Sequence, residues 1–168
     1  VTSPPDDSAT DVRVRRAERA DLLAIYGIEK ASFSSPWPFD AFERHLSTPG
    51  FLVAVDGEAP PGNGQIDAAD VVGFIVADVI PNHGQPLGHV KDLAVYPDRR
   101  GRGIGTELLQ HGLQALHDQS VHSVKLEVRE SNEGAQRLYS RSGFRPLRRV
   151  PRYYDDGEDA IIMVRSFE

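Results

Sequence analysis

With 168 residues, 39% of them hydrophobic and 26% charged, the chain has the size and balance of one soluble domain, able to bury roughly 70% of its unfolded surface in a single core. A net charge of −6 argues against tracking a phosphate backbone, which normally takes a basic excess or stripe, and no apolar run approaches the roughly 18 residues of a membrane span. The absence of cysteine excludes a disulfide framework and a thiol nucleophile, and the six histidines are scattered without an H-E-x-x-H pattern, so an enzyme of the cytoplasm with no metal is expected.

Residues 1–11, rich in Pro, Asp and small polar side chains, have no apolar periodicity and read as a flexible tail, leaving 12–168 as a single domain. A short strand is predicted over 11–17 from its alternation, and a helix over 21–31 from the stripe Leu22, Leu23, Ile25, Tyr26 and Ile28. FSSPWPF at 33–39 packs two prolines and three aromatics into a segment that cannot be regular helix, after which Asp40 is expected to cap a short helix to residue 46. Apolar strands follow at 51–55 and 71–80, separated by a Gly- and Pro-rich stretch, 57–70, expected to be a mobile loop.

The next stretch, GHVKDLAVYPDRRGRGIGTELL at 88–109, reads as a strand running through a glycine turn into a helix. Its strand half sets Val90 and Ala94 against Lys91 and Asp92. The helix carries Leu108, Leu109, Leu113 and Leu116 at helical spacing to about residue 119 and should lie on the sheet. Strand 123–129 turns Val124, Leu126 and Val128 inward and Lys125, Glu127 and Arg129 to the other face. A helix starting at Ser131 or Asn132 should end at Gly143, and strands 144–150 and 160–167, joined by PRYYDDGED, close a mixed α/β chain.

Glycines at the start of the central helix leave its backbone amides unobstructed, which makes an anion site. A dinucleotide fingerprint fails there, because the sixth residue from Gly101 is Thr106, and no lysine follows for a P-loop. The pattern that fits is R-x-x-G-x-G, as Arg100, Gly103 and Gly105. It resembles the pyrophosphate-binding motif of the GNAT superfamily, acyltransferases that use acetyl-coenzyme A.

Taken singly, Glu127 reads as a solvated strand carboxylate and Tyr139 as a helix aromatic on the sheet. Together, LEVRESNEGAQRLYSRSGF (126–144) and RRVPRYYDDGEDAIIMVR (148–165) resemble the protein N-terminal acetyltransferases of the RimI and archaeal Ard1 type over about residues 12–166. The resemblance implies a mixed, mostly antiparallel sheet of about seven strands with about four flanking helices, the strand of Glu127 pairing with the central strand and then splaying from it. The pantetheine arm of acetyl-CoA would hydrogen-bond the freed backbone of Leu93, Ala94 and Val95, with its pyrophosphate at Gly101, Arg102, Gly103, Ile104, Gly105 and Thr106. Asn132 falls on the family's coenzyme A asparagine, a role compatible with capping its helix.

By the same resemblance Glu127 corresponds to the general base and Tyr139 to the proton donor. The archaeal pattern adds His89, which could share one water with Glu127, and Glu127 ranks above it. The first loop and PRYYDDGED would wall the incoming N-terminus with Phe33, Trp37, Tyr153 and Tyr154, aromatic walls with few charges that suit a short apolar or small first residue. FSSPWPF fits the bacterial pattern better than the archaeal one. The implied substrates are protein or peptide N-termini, ribosomal protein among them by analogy, with neither nucleic acid nor membrane as partner. Two other readings are a GNAT acting on lysine or a small-molecule amine, which would have no reason to carry YYDDGEDA, and a noncatalytic coenzyme A module, which would not keep Glu127 and Tyr139.

Overall fold

The computed structural model describes residues 12–56 and 71–167, so the expected tail and the expected loop at 57–70 lie outside the described residues. Seven strands, β1 (Val12–Arg16), β2 (Gly50–Asp56), β3 (Val71–Ile80), β4 (Leu87–Val95), β5 (Ser123–Arg129), β6 (Arg145–Val150) and β7 (Ala160–Ser166), form one sheet in the order β1-β2-β3-β4-β5-β7-β6. Every neighbouring pair is antiparallel except β4–β5. Four helices flank it, α1 (Leu22–Ser32), α2 (Phe39–Arg44), α3 (Ile104–His117) and α4 (Glu133–Arg141). This is the mixed, mostly antiparallel architecture implied by the resemblance.

Strands β2 and β3 are buried on both faces because helices cover both. On one side α1 and α2 pack Ile25, Ile28 and Phe42 against Phe51 and Phe74. On the other, α3 and α4 pack Leu108, Leu109, Leu116 and Tyr139 against Ile75, Val124 and Leu126. The α3 leucines are buried as their spacing predicts, whereas Leu23, placed on the α1 stripe from sequence, is 77% exposed. Glu29 takes the buried place instead. Asp40 does not cap α2; Pro38 holds the N-cap position in extended backbone, and Asp40 sits in the first turn beside the helix's partial positive charge.

A local irregularity corrects the expected alternation of β4. Val76 pairs with Asp92 but Ala77 pairs with Val90, leaving Lys91 as the extra residue of a β-bulge. Val90 therefore joins the core beneath α3, while Ala94 joins the opposite core beneath α1. The bulge places Lys91 and Asp92 toward the same side as His89, where Lys91 Nζ lies 3.8 Å from Asp78, and burial, with Glu29 of α1, raises the Asp92 carboxyl.

Candidate active site

Pairing between β4 and β5 covers only Gly88 with Val124, His89 with Lys125 and Val90 with Leu126. Glu127 is the first β5 residue past the last pair, so its side chain stands at the fork where the strands part. His89 Nε2 lies 2.9 Å from Glu127 Oε1 and 3.1 Å from Oε2, and the Tyr153 hydroxyl donates to Oε1 at 3.3 Å. A carboxylate only accepts, so Nε2 carries the hydrogen of this bond. Burial pushes the Glu127 carboxyl up, but the His89 hydrogen bond and charge, Lys125 and Tyr153 together outweigh it and hold the group below its ordinary value.

A cavity of about 720 Å³ opens at this fork, lined by Glu127, Tyr139, Asn132 and all four expected wall residues, Phe33, Trp37, Tyr153 and Tyr154. His89 is not among its lining residues; it stands behind Glu127. Tyr139 is buried, its ring edge-on to Phe144. Burial above all, with the nearby Asp92 and Tyr154, raises its hydroxyl well above the usual tyrosine value. Tyr154 is pushed up to about 12, chiefly by burial. Both phenols keep their protons at neutral pH. The walls are less apolar than the sequence suggested, for Glu29, Asp92, Asp155, Asp156 and Glu158 also line the space.

Next to it lies a second cavity of about 670 Å³. Of the expected cofactor positions, Leu93, Ala94, Val95, Arg100, Gly101, Gly103, Ile104, Gly105, Thr106 and Asn132 line it; the exposed Arg102 does not. Gly103 caps α3 with φ +82°, a conformation that glycine adopts without strain. The first intrahelical bond then runs from Glu107 N–H to the Gly103 carbonyl, so the amides of Ile104, Gly105 and Thr106 precede the helical ladder and face an anion's requirements. A Cβ built on Gly105 would stand 3.4 Å from Leu138 Cδ2 and 3.8 Å from Val95 Cγ2, at the seam between α3, β4 and α4. A phosphate-bearing arm fits a trough with helix-start amides at one end, the edge of β4 left unpaired by β5 along its side and arginines at the rim. Asn132 Oδ1 accepts from Ala135 N–H at 3.1 Å, so it caps α4 while lining both cavities.

Residues 22–144 match the model of the acetyltransferase (GNAT) family. The chain belongs to the GNAT family. It is 34% identical to an N-alpha-acetyltransferase of Sulfurisphaera tokodaii over 91% of this chain and 92% of that one. It is 31% identical to the [ribosomal protein bS18]-alanine N-acetyltransferase of Escherichia coli, covering 87% and 91% of the two chains. The crystal structure of Ard1 from Thermoplasma volcanium superposes with a TM-score of 0.79 at 27% identity, covering 95% of this chain and 99% of that one.

Within this GNAT chain several site residues escaped sequence reasoning. Arg129 donates to Asp156 at 2.9 Å and Glu158 at 2.8 Å, and its guanidinium lies 4.1 Å from the centre of the Tyr154 ring. Glu158 also accepts from Ser131 N–H at 2.8 Å. The acidic residues of YYDDGED therefore fasten their loop to the end of β5 and the start of α4. Alternation marked Arg129 as outward-facing, but its partners lie 27 and 29 residues on. Arg137 and Arg141 line the second cavity, and their spacing of four on α4 was the available signal. Arg100 ties the two sides together, donating from Nε to the Val95 carbonyl at 3.2 Å and from its terminal nitrogen to Ser32 Oγ at 3.1 Å.

Proposed function

We propose that the chain transfers the acetyl group of acetyl-CoA to the free α-amino group of protein N-termini in the cytoplasm, with residues 12–168 as the catalytic domain. The observation that carries this reading is Glu127 at the fork of β4 and β5, facing a cavity walled by both the first loop and YYDDGED. The two relatives whose names specify N-terminal acetylation support it, and the E. coli relative makes a ribosomal protein N-terminus one candidate substrate.

Acetyl-CoA supplies a thioester as acyl donor. Leu93, Ala94 and Val95 offer backbone groups to its arm, Asn132 a side-chain amide, and Arg100 and the amides from Gly101 to Thr106 the pyrophosphate site. Glu127 receives the proton of the attacking amine, directly or through one water. Its acidity dictates the timing. An α-ammonium has a reference pKa of about 7.7 to 8.0, so full transfer to such a carboxyl is uphill by at least about 4 kcal/mol. Glu127 therefore acts while the C–N bond forms, when the nitrogen becomes far more acidic. His89 holds Glu127 in place from behind, and Tyr139 gives its proton to the departing sulfur.

Turnover on peptides starting with Ala, Ser, Met, Met-Leu and Met-Glu, beside an internal-lysine control, tests the reading. A lysine, with reference pKa near 10.4, costs roughly 3 kcal/mol more to deprotonate at neutral pH, and its greater nucleophilicity returns part of that. The lysine control should be slower than the best N-terminus. For that N-terminus kcat/KM should rise through pH 8 and hold a plateau to pH 10, because a raised hydroxyl pKa keeps the Tyr139 proton in place as pH climbs. Faster acetylation of the lysine would overturn the N-terminal reading, and a fall beginning near pH 9 would remove Tyr139 as donor.

Arg129 acts on the substrate through the loop it fastens. Arg129→Gln should raise the peptide KM about tenfold, the scale of one charge-assisted hydrogen bond of about 1.5 kcal/mol, while kcat changes much less. Equal losses in kcat with KM unchanged would show that the loop does not position the peptide.

A further inference from the structure

The face of the sheet that carries Glu127 is covered unevenly. Helices α1 and α2 shield it over β2, β3 and the far end of β4, and no residue of β5, β6 or β7 joins the cluster beneath them. Strand register orders the rest of that face into rows. Lys125 of β5 stands opposite Val164 of β7, which stands opposite Arg145 of β6; in the next row Glu127 faces Ile162, and Ile162 faces Arg148. Residues paired in register share a face, so Lys125, Arg145 and Arg148 lie on the side of Glu127. Arg145 and Arg148 are exposed, and Lys125 and Val164 are half-buried. Strands β6 and β7 contain no acid. Among the described residues Arg145 and Arg148 have no ion-pair partner, and Lys125 has only Glu127, 3.9 Å away. Other basic residues nearby are matched: Arg149, on the opposite face, is drawn to Glu130 and Asp159, Arg129 to Asp156 and Glu158, and Lys91 to Asp78. A chain of net charge −6 thus keeps a positive patch on an open sheet face beside Glu127.

The patch lies where a substrate chain must leave. The cofactor trough takes the side of the fork where β4 has parted from β5. A polypeptide whose amine reaches Glu127 therefore trails the other way, over the paired ends where Lys125 stands beside His89. Lys125 is two residues from Glu127 and Arg145 is two strands beyond it, which at ordinary strand dimensions puts the patch about 7 to 12 Å from the base. An extended chain covers that distance in about two to four residues, so side chains from about the third to the sixth position meet it. The geometry points to this face as the docking surface for the downstream segment of the substrate, with a preference for Asp and Glu at those positions. The inference rests on the N-terminal acetylation reading and concerns residues beyond the first. Nucleic acid is a less fitting polyanion, because the net charge repels it at long range and the patch adjoins the peptide cavity.

The test uses the full chain, acetyl-CoA and peptides that share their first two residues and carry Glu, Gln or Lys from the third position to the sixth. Exposed charge pairs contribute little singly, so the three cations together should favour the Glu peptide over the Gln peptide by about tenfold in kcat/KM at low salt, expressed in KM, with the Lys peptide below both. Raising the ionic strength to about 1 M shortens the screening length to about 3 Å and should bring the three peptides together. Arg145→Gln/Arg148→Gln changes only exposed side chains and should cut the Glu/Gln ratio by about threefold or more. Arg13→Gln, which removes an exposed charge from β1 at the far edge of the sheet, should leave the ratio as it is. A wild-type protein that takes Glu and Gln peptides alike at low salt, or favours the Lys peptide, overturns the proposal without any variant. So does a Glu preference that survives intact in the Arg145→Gln/Arg148→Gln protein. Inhibition by an RNA oligonucleotide but not by a Glu-rich peptide of equal charge, lost in that double variant, would give the face to nucleic acid and overturn it too. No turnover on any free N-terminus would overturn the parent reading, and turnover indifferent to downstream charge would overturn only this one.

Discussion

Glu127→Gln should reduce turnover of an N-terminal peptide by roughly 10² to 10⁴-fold, the range typical of a general acid-base step, with acetyl-CoA affinity nearly intact. The amide keeps the shape of the carboxylate and can still accept from His89 and Tyr153, so fold and cavity should persist. What it loses is the ability to take a proton. Glu127 lines the cavity and His89 stands behind it, so His89→Ala should cost less than Glu127→Gln. The double variant should fall well short of the product of the two losses, because both residues serve one proton. Steady-state kinetics decides it: near-wild-type turnover in Glu127→Gln together with a severe His89→Ala defect would transfer the role of base to His89. Tyr139→Phe should resemble Glu127→Gln, since it removes a proton donor while leaving the packing on Phe144.

Local patterns in the chain were enough to read the elements, because each strand and helix is decided by neighbours in sequence. Strands β3 and β5 fall at the residues their apolar patterns predict. Gly143, with φ +91°, ends α4 as a glycine stop should. The bulge at Lys91 has no such signature; it arises from the register that β3 imposes, and only pairing reveals it. Glu29 is an intermediate case. It sits four residues after Ile25 and seven after Leu22, on the buried face of α1, so the spacing marks a buried carboxylate. Asp92, whose carboxyl is pushed up by burial and by Glu29, lies 63 residues further on, beyond the reach of any local pattern. The same distance problem hid the grip of Arg129 on Asp156 and Glu158.

Sequence also separated the two glycines of the helix start less well than the structure does, and the difference decides how the coenzyme A site should be tested. Gly103 has φ +82°, so any side chain there strains the start of α3, and a binding defect could come from the helix itself. Gly105 lies within the first turn, and a Cβ there would make contacts of 3.4 Å and 3.8 Å with the ends of two flexible side chains. Gly105→Val should therefore fold, with its melting temperature only modestly lowered. Its γ-methyls would nevertheless stand in the trough where an anion must approach the amides of α3. Losing two charge-assisted hydrogen bonds of about 1.5 to 3 kcal/mol each would raise the dissociation constant of acetyl-CoA more than about 100-fold. Calorimetry on the folded variant measures this directly. Unchanged affinity would mean that the pyrophosphate does not sit at the start of α3, and the arginines at the cavity rim, Arg137 and Arg141 on α4, would then have to hold it without the helix amides.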